Sequence, residues 1–285
     1  MTPNPLTQSK TSIVTSGIQL NAIDSTTLAQ FYQEMIGLSL IDHKDGYYAL
    51  GTPDQTVLVE IFPTTIKKTK RTTGLYHMAL LLPTKADLGT ILLHLVKKQV
   101  NLDGASNHGY SNALYLTDPE GNGIEIYADN DKSEWDIRED GFIAGITEAM
   151  DADDVLANAS QHFEGIPNGT TMGHIHLHVG DTAETLQFYL TTLGLGFKYP
   201  YGNQAIFMAS GDYHHHLGAN IWQGKNLPAP EENQQGLRAL VWTASAEDIA
   251  YITEQLAAQD IYYSINDKHL SFKDNSGLTN ILIQK

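Results

Sequence analysis

The sequence predicts an α+β fold in which four βαβββ modules form two half-barrel domains. Two segments, residues 17–38 and 173–197, each contain an apolar strand pattern, an aspartate, a helical pattern with a Phe-Tyr pair and a closing glycine. Aspartate caps the first turn of a helix and glycine ends one, so both segments predict a strand followed by a helix. Weaker copies of the pattern begin at Gly74 and Gly236. Self-similarity of this kind indicates repeated structural units.

The four modules are expected to begin near residues 12, 73, 172 and 236. Asp24 and Asp181 are the predicted helix caps of the first and third modules. In the second and fourth modules, the apolar periodicity predicts helices over about Lys85–Lys98 and Ala246–Gln259,. Alternating patterns after the helices predict strands, among them Tyr47–Leu50, Val57–Phe62, Ala205–Ala209 and Ala219–Trp222,.

A long connection separates the second module from the third. Residues 12–129 are expected to hold modules one and two, and residues 172–285 modules three and four. The linker between them, residues 130–171, is too long for a simple turn and contains a predicted short helix at Asp153–Ala159,. The chain is therefore expected to form two paired halves.

The composition excludes several classes of partner and site. A formal net charge of −16, from 33 acidic and 17 basic residues, disfavours nucleic acid and anionic membranes, because both select basic surfaces,. The absence of cysteine excludes disulfides and thiolate metal sites,. No apolar run approaches the roughly 20 residues of a membrane helix, and Met1–Pro5 lacks a leader pattern, so we expect a cytoplasmic protein,. A homo-oligomer is compatible with the sequence.

The segment from His108 to Glu125 has a composition that suits chemistry better than packing. His108 lies seven residues before Tyr115, and an Asp-Pro-x-Gly turn at 118–121 then leads to Glu125 between two isoleucines. The turn places Tyr115 and Glu125 on adjacent antiparallel strands, and strand alternation points Glu125 into the curved sheet. A carboxylate buried there is costly unless it meets a proton or a cation. The segment therefore predicts that Glu125 meets either a proton or a metal ion.

The paired modules resemble the vicinal oxygen chelate superfamily, in which βαβββ modules wrap a half-barrel around one divalent metal ion. The segment His108–Glu125 resembles the signature of the type I extradiol ring-cleaving dioxygenases, although Ser106 departs from the residue usual two positions before the histidine. Residues 173–178 and 211–222 resemble the catechol-2,3-dioxygenase branch of Bacillus-type bacteria. The resemblance implies an Fe(II) enzyme that uses O2 to open a small aromatic, catechol-type substrate beside its two hydroxyl groups.

The resemblance also implies where the metal ligands lie, on the first and last strands of a module. The first-strand positions hold Gly17, His77, His174 and Ala239, and the last-strand positions hold Glu60, Glu125, Asn220 and Ile281. If modules two and three pair, one cleft receives His77, Glu125 and His174, a set that leaves a face of Fe(II) open. If neighbouring modules pair, Glu60 joins His77 and Glu125 instead.

We favour the pairing of modules two and three because it completes the two-histidine, one-carboxylate set. His176 and His178 lie on the same strand face as His174 and compete with it as ligands. The ligand set alone is also compatible with Mn(II), Zn(II) or Ni(II), so the choice of Fe(II) depends on the resemblance.

The resemblance assigns the remaining catalytic roles. The acid/base histidine ends module three, where His216 aligns best and His215 is the alternative. An imidazole pKa near neutral suits the transfer of a proton in both directions. Tyr115 and His108 match the residues that hydrogen-bond the ring oxygens of the substrate. The run His214–His216 is also compatible with a surface cluster.

Two other functions stay open on the sequence alone. A glyoxalase-I-like isomerase with Zn(II) or Ni(II) would use Glu60, His77 and Glu125 as three of its four ligands, and Gly17 would leave the fourth position empty. A metal-free protein that binds aromatic compounds or drugs, as the bleomycin-resistance relatives do, would have no use for the aligned ligands. The dioxygenase accounts for more of these residues.

Overall fold

A computed structural model describes residues 4–266 and 269–285 of the chain. Two short segments lie outside the described residues, namely residues 1–3 of the predicted amino-terminal segment and residues 267–268 of the fourth module. Module one contains β1 (Val14–Ala22), α1 (Ser25–Phe31, extended by a wider turn at Tyr32–Ile36), β2 (Ser39–Lys44), β3 (Tyr47–Gly51) and β4 (Val57–Pro63). Module two contains β5 (Gly74–Leu81), α2 (Lys85–Lys97), β6 (Gly104–Asn107), β7 (Ser111–Thr117) and β8 (Gly123–Asp129).

The connection after module two contains β9 (Asp136–Ile137), β10 (Ile143–Ala144), β11 (Glu148–Ala149) and α3 (Ala152–Leu156). Module three contains β12 (Thr171–His178), α4 (Thr182–Thr191), β13 (Gly196–Tyr201), β14 (Ala205–Ala209) and β15 (Leu217–Asn220). Module four contains β16 (Gly236–Ala244), α5 (Ala246–Ala258), β17 (Tyr263–Asn266), β18 (His269–Lys273) and β19 (Thr279–Gln284). The predicted α+β fold of four βαβββ modules is confirmed.

Two curved sheets group the modules in a non-sequential way. The larger sheet has the strand order β11-β6-β7-β8-β5-β12-β15-β14-β13, so it joins modules two and three. The other has the order β17-β18-β19-β16-β1-β4-β3-β2 and joins modules one and four. The favoured pairing of modules two and three is therefore confirmed. The range 12–129 contributes one module to each sheet, and so does the range 172–285. The domain boundaries at these residues stay a prediction.

Local sequence explains where the helices begin and end. The Asp24 carboxylate accepts a hydrogen bond from the Thr27 N–H at 3.0 Å, and Asp181 accepts from the N–H of Glu184 at 2.9 Å, so both predicted caps are formed,. Gly37 ends the first helix with φ 87°, a left-handed conformation that favours glycine,. The short predicted helix of the linker begins one residue earlier and ends three residues earlier than expected.

Two buried tyrosine–aspartate hydrogen bonds tie the sheets together. Tyr32, in module one, donates to Asp118 Oδ2 of module two at 3.0 Å, and Tyr189, in module three, donates to Asp274 Oδ2 of module four at 2.7 Å. Each aspartate also accepts backbone N–H groups of its own turn, such as Leu278 N at 2.9 Å. Neighbouring modules are thus linked across the two sheets. Among the described residues, no helix has the length and apolar content needed to cross a lipid bilayer.

We predict that Asp274 makes the fold less stable as the pH rises. Burial raises the pKa of its carboxyl from 3.8 to about 6, although hydrogen bonds from Tyr189 and the turn oppose the shift. The pKa of Asp274 is higher in the folded protein than in the unfolded chain. The contribution of its protonated carboxyl to stability is therefore full below about pH 4 and is lost as the pH rises through 6. Replacing Asp274 by Asn should remove this loss, about 3 kcal/mol, from the free energy of unfolding. Denaturant titrations of both proteins at pH 4 and pH 7 measure it, and an equal pH dependence in both would contradict it.

Candidate metal centre

Three side chains from three adjacent strands converge at the middle of the larger sheet. His77 lies on β5, Glu125 on β8 and His174 on β12. Glu125 Oε2 lies 3.1 Å from His77 Nε2 and 3.1 Å from His174 Nε2, and the two nitrogens are 3.3 Å apart. All three residues are buried. The structure therefore brings together the complete set that the sequence predicted.

Strand register explains the convergence. Ala79 of β5 is the register partner of Glu125 in the parallel strand on one side and of His174 in the antiparallel strand on the other. His77 lies two residues before Ala79 and therefore faces the same side of the sheet. The small alanine side chain between the larger ones leaves room for three polar groups to meet.

The protonation states of His77 and Glu125 suit metal binding. Burial lowers the pKa of His77 to about 3, so its imidazole is neutral at physiological pH. Burial alone would raise the pKa of Glu125, but the attraction and hydrogen bond of His174 and the attraction of His77 lower it to about 2. Metal ligands must be neutral imidazoles and ionised carboxylates. His77 and Glu125 are therefore already in the forms that bind a metal ion.

The spacing of the donor atoms also fits a divalent cation. Ligand bonds of 2.0–2.2 Å place neighbouring ligands of a six-coordinate ion on the order of 3 Å apart. The observed separations of 3.1 to 3.3 Å agree with that spacing. The Nε2 atoms of His77 and His174 meet at one carboxylate oxygen of Glu125, and a divalent cation can accept a lone pair from each of these three atoms. We therefore find that the residues fit a metal ion.

A cavity of about 660 Å³ opens beside the three side chains. This volume is in the range of small-molecule sites. Both modules of the sheet contribute aromatic residues to its wall, namely Tyr76, Tyr110, Tyr115, Tyr199, Tyr201, Phe207 and Trp222. A flat aromatic molecule would thus meet ring faces on several sides while it reaches His77, Glu125 and His174.

His108 and Tyr115 form a hydrogen-bonded pair in this wall. The carbonyl of Ile146 can only accept, so His108 Nδ1 donates to it at 2.9 Å,. In the neutral ring, Nε2 is then the acceptor, and the Tyr115 hydroxyl donates to it at 2.6 Å. Burial and the nearby Glu125 raise the pKa of Tyr115 well above its usual value, so the hydroxyl keeps its proton. Tyr115 is the register partner of Glu125 on adjacent antiparallel strands, as the turn predicted.

The run of three histidines is buried, with relative exposures of 1, 5 and 9% for His214, His215 and His216. The surface-cluster interpretation is therefore wrong. His215 lines the cavity, and its ring centroid lies 4.1 Å from that of His174. His216 is not among the described residues that line the cavity; its Nδ1 accepts from Ser210 N–H at 3.2 Å, and its ring stacks on Tyr213. The position aligned with the acid/base role, His216, thus does not line the cavity, whereas its neighbour His215 does.

The competing ligands occupy other positions. His178 also lines the cavity, with Nδ1 donating to Asn220 Oδ1 at 2.8 Å. His176 lies opposite His77 in the register, but its Nε2 has no hydrogen-bond partner among the described residues. Glu60 lies in the other sheet, where it accepts from Gln19 Nε2 at 2.8 Å. Within the described part of the chain, the grouping that could hold a metal is His77, Glu125 and His174.

Sequence reasoning missed one carboxylate near the site. Asp129 ends β8, four residues after Glu125 and on the same strand face, and its Oδ1 accepts from His214 Nε2 at 3.0 Å. Burial lowers the pKa of His214, and the hydrogen bond to Asp129 opposes that shift. The alternation of β8 could have placed Asp129 on the site face, but only the structure brings His214 to it.

Comparison with known proteins agrees with this architecture. The family model of the Glyoxalase/Bleomycin resistance protein/Dioxygenase superfamily matches residues 16–126. A catechol-2,3-dioxygenase of Bacillus subtilis is 40% identical over 213 residues, which cover 73% of this chain and 74% of that protein. The chain belongs to this superfamily. The resemblance seen in the His108–Glu125 segment is confirmed.

Solved structures share the fold at low sequence identity. The cppA protein from Streptococcus pneumoniae superposes with a TM-score of 0.61 and 14% identity, covering 98% of this chain and 100% of that one. A putative dioxygenase from Bacillus subtilis gives a TM-score of 0.59 and 16% identity, covering 95% of this chain and 86% of that one. These similarities show the fold alone.

We predict that replacing Glu125 by Gln weakens divalent metal binding by about 100-fold or more, because a ligand matters more than its outer-shell partners. Glu60→Gln is the matched control, since the same change in the other sheet should leave metal affinity unaltered. Anaerobic titration of the metal-free proteins with Fe(II) or Zn(II) measures both. Equal losses in the two variants would contradict the site, and a wild-type protein that binds no divalent metal tightly would favour the metal-free binding protein.

Proposed function

We propose that this protein is an Fe(II)-dependent extradiol dioxygenase that opens the ring of a catechol-type substrate with O2. The observation that carries the proposal is the convergence of His77, Glu125 and His174 on an aromatic cavity that also contains a histidine–tyrosine pair and His215. The 40% identity to a catechol-2,3-dioxygenase supports the reaction class. We also propose that the protein is located in the cytoplasm and that its partners are O2 and a small aromatic molecule.

His77, Glu125 and His174 would hold the metal, and such a set leaves one face of the ion open for substrate. The donor atoms also suit Mn(II), Zn(II) or Ni(II), so the preference for Fe(II) comes from the dioxygenase relative,. When bound, Fe(II) would supply the open positions and the electron transfer that bring a catechol and O2 to react. The sum of the reaction adds both oxygen atoms to the ring and breaks the carbon–carbon bond beside the diol, giving a 2-hydroxymuconic semialdehyde type of product.

His215 is proposed to move the substrate proton. Its Nδ1 is hydrogen-bonded with His214 Nδ1 at 2.7 Å, so Nε2 is the nitrogen that can contact a ligand in the cavity. A catechol hydroxyl that approaches the metal ligands would transfer its proton to this nitrogen. The protonated ring would then return the proton to an oxygen atom later in the reaction, as a general acid.

Tyr115 and His108 are proposed to hold the ring oxygens of the substrate. Tyr115 keeps its hydroxyl proton, which would turn from His108 Nε2 to a deprotonated catechol oxygen when the substrate binds. Tyr76, Phe207 and Trp222 line the same cavity, where they would exclude water from the reacting atoms.

The isomerase alternative loses support from the geometry. That function would need Glu60 beside His77 and Glu125. Glu60 instead accepts hydrogen bonds from Gln19 and Tyr47 in the sheet of modules one and four. The structure does not bring the isomerase set together.

We predict that protein loaded anaerobically with Fe(II) and mixed with catechol turns yellow when air is admitted, because a ring-opened semialdehyde absorbs visible light. His77→Ala should abolish both bound iron and the product. Colour formation by His77→Ala, or its absence with iron-loaded wild-type protein and a panel of substituted catechols, would contradict the proposed function.

The same assay separates the two acid/base candidates. His215→Gln should lower kcat by about 100-fold or more, the range for loss of a general acid–base. His216→Gln should change kcat by less than about threefold, because this residue does not line the cavity. A larger loss of kcat in His216→Gln than in His215→Gln would assign the acid/base role to His216.

A further inference from the structure

A chain of three side chains leads from the cavity toward the protein surface. His215, at the cavity wall, lies 2.7 Å from His214 through their Nδ1 atoms. His214 continues through Nε2 to Asp129 Oδ1 at 3.0 Å. The side chain of His214 is 1% exposed and that of Asp129 is 24% exposed. The chain therefore begins at the proposed active site and ends at a carboxylate that contacts solvent.

The carboxylate fixes where the protons lie along this chain. An ionised carboxylate only accepts, so the proton of the neutral His214 ring lies on Nε2. Its Nδ1 then has a lone pair, and His215 must donate to it from its own Nδ1. A neutral His215 has no second proton, so its Nε2 presents a lone pair to the cavity. This is the form that a base acting on a catechol hydroxyl requires.

Without the carboxylate, the opposite arrangement becomes available. His214 could then carry its proton on Nδ1 and donate it to His215. The His215 proton would move to Nε2, and the cavity would face a donor that cannot accept a substrate proton. A group at the outer end of the chain thus determines the tautomer at the inner end.

Aromatic packing holds the middle ring in place. His214 stacks on Tyr110, with ring centroids 4.2 Å apart and an interplanar angle of 12°, and its centroid lies 4.0 Å from that of Tyr213. The ring centroid of Trp135, in the linker, lies 5.1 Å from that of His214. These contacts restrict the rotation of His214, so the hydrogen bond to Asp129 sets its orientation.

We propose that Asp129 and His214 are positioning residues that hold His215 in the tautomer whose Nε2 accepts the substrate proton. The inference rests on the proposed dioxygenase function. It assigns a role to the linker as well, because Trp135 packs against the ring that transmits the effect.

Steady-state kinetics of iron-loaded variants test the positioning role. His214→Phe keeps an aromatic ring but removes both hydrogen bonds, and it should lower kcat at least about 10-fold while KM for catechol stays within about threefold. His214→Gln, whose amide can both accept and donate, should restore part of kcat. His43→Phe, the same change at a histidine of module one that also stacks on a tyrosine, is the control and should stay near wild type.

A second measurement needs no iron and no activity. Nitrogen-15 NMR of histidine-labelled, metal-free protein reports which ring nitrogen carries the proton. We expect His215 to be protonated at Nδ1 in the wild type and at Nε2, in whole or in part, in Asp129→Leu. A wild-type His215 protonated at Nε2, or a His214→Phe variant with wild-type kcat, overturns the inference. If the wild type cleaves no catechol, the proposed function fails, and the NMR result still decides the tautomer.

Discussion

The antiparallel pairing of β5 with β12 is the contact on which the rest of the site depends. Module two alone contributes His77 and Glu125, and module three alone contributes His174. The register that sets His174 against Ala79 brings His174 Nε2 to 3.3 Å from His77 Nε2. A shift of one residue would turn every side chain of β12 to the opposite face. The same pairing closes the cavity, because aromatic residues from both modules line it.

The second sheet repeats the architecture without the chemistry. There β1 pairs with β16, and the equivalent positions hold Gly17 and Ala239. Glu60, the carboxylate at the equivalent last-strand position, accepts hydrogen bonds from Gln19 and Tyr47. Apolar residues of the two sheets form one core, and the Tyr32–Asp118 and Tyr189–Asp274 hydrogen bonds link modules that are neighbours in sequence but lie in different sheets. One half of the molecule thus supports the half that carries the candidate site.

The features that the sequence predicted well are local ones. Helix caps, the turn that places Tyr115 opposite Glu125 and the strand alternation all depend on residues a few positions apart,. The long-range pairing of modules could be chosen only because one pairing completed the ligand set. His215 could not be distinguished from His216, since both precede β15 in an irregular segment where side-chain direction does not follow alternation. The contact between Asp129 and His214 spans 85 residues, and no local pattern indicates it.

The central claim is that modules two and three together hold one metal ion. Anomalous X-ray diffraction from crystals loaded with Fe(II) without oxygen tests it most directly, because the iron signal locates the ion independently of any activity. The account predicts one strong peak about 2 Å from His77 Nε2, His174 Nε2 and a carboxylate oxygen of Glu125. A peak beside Glu60 in the other sheet, or one that lacks either histidine among its ligands, would contradict it.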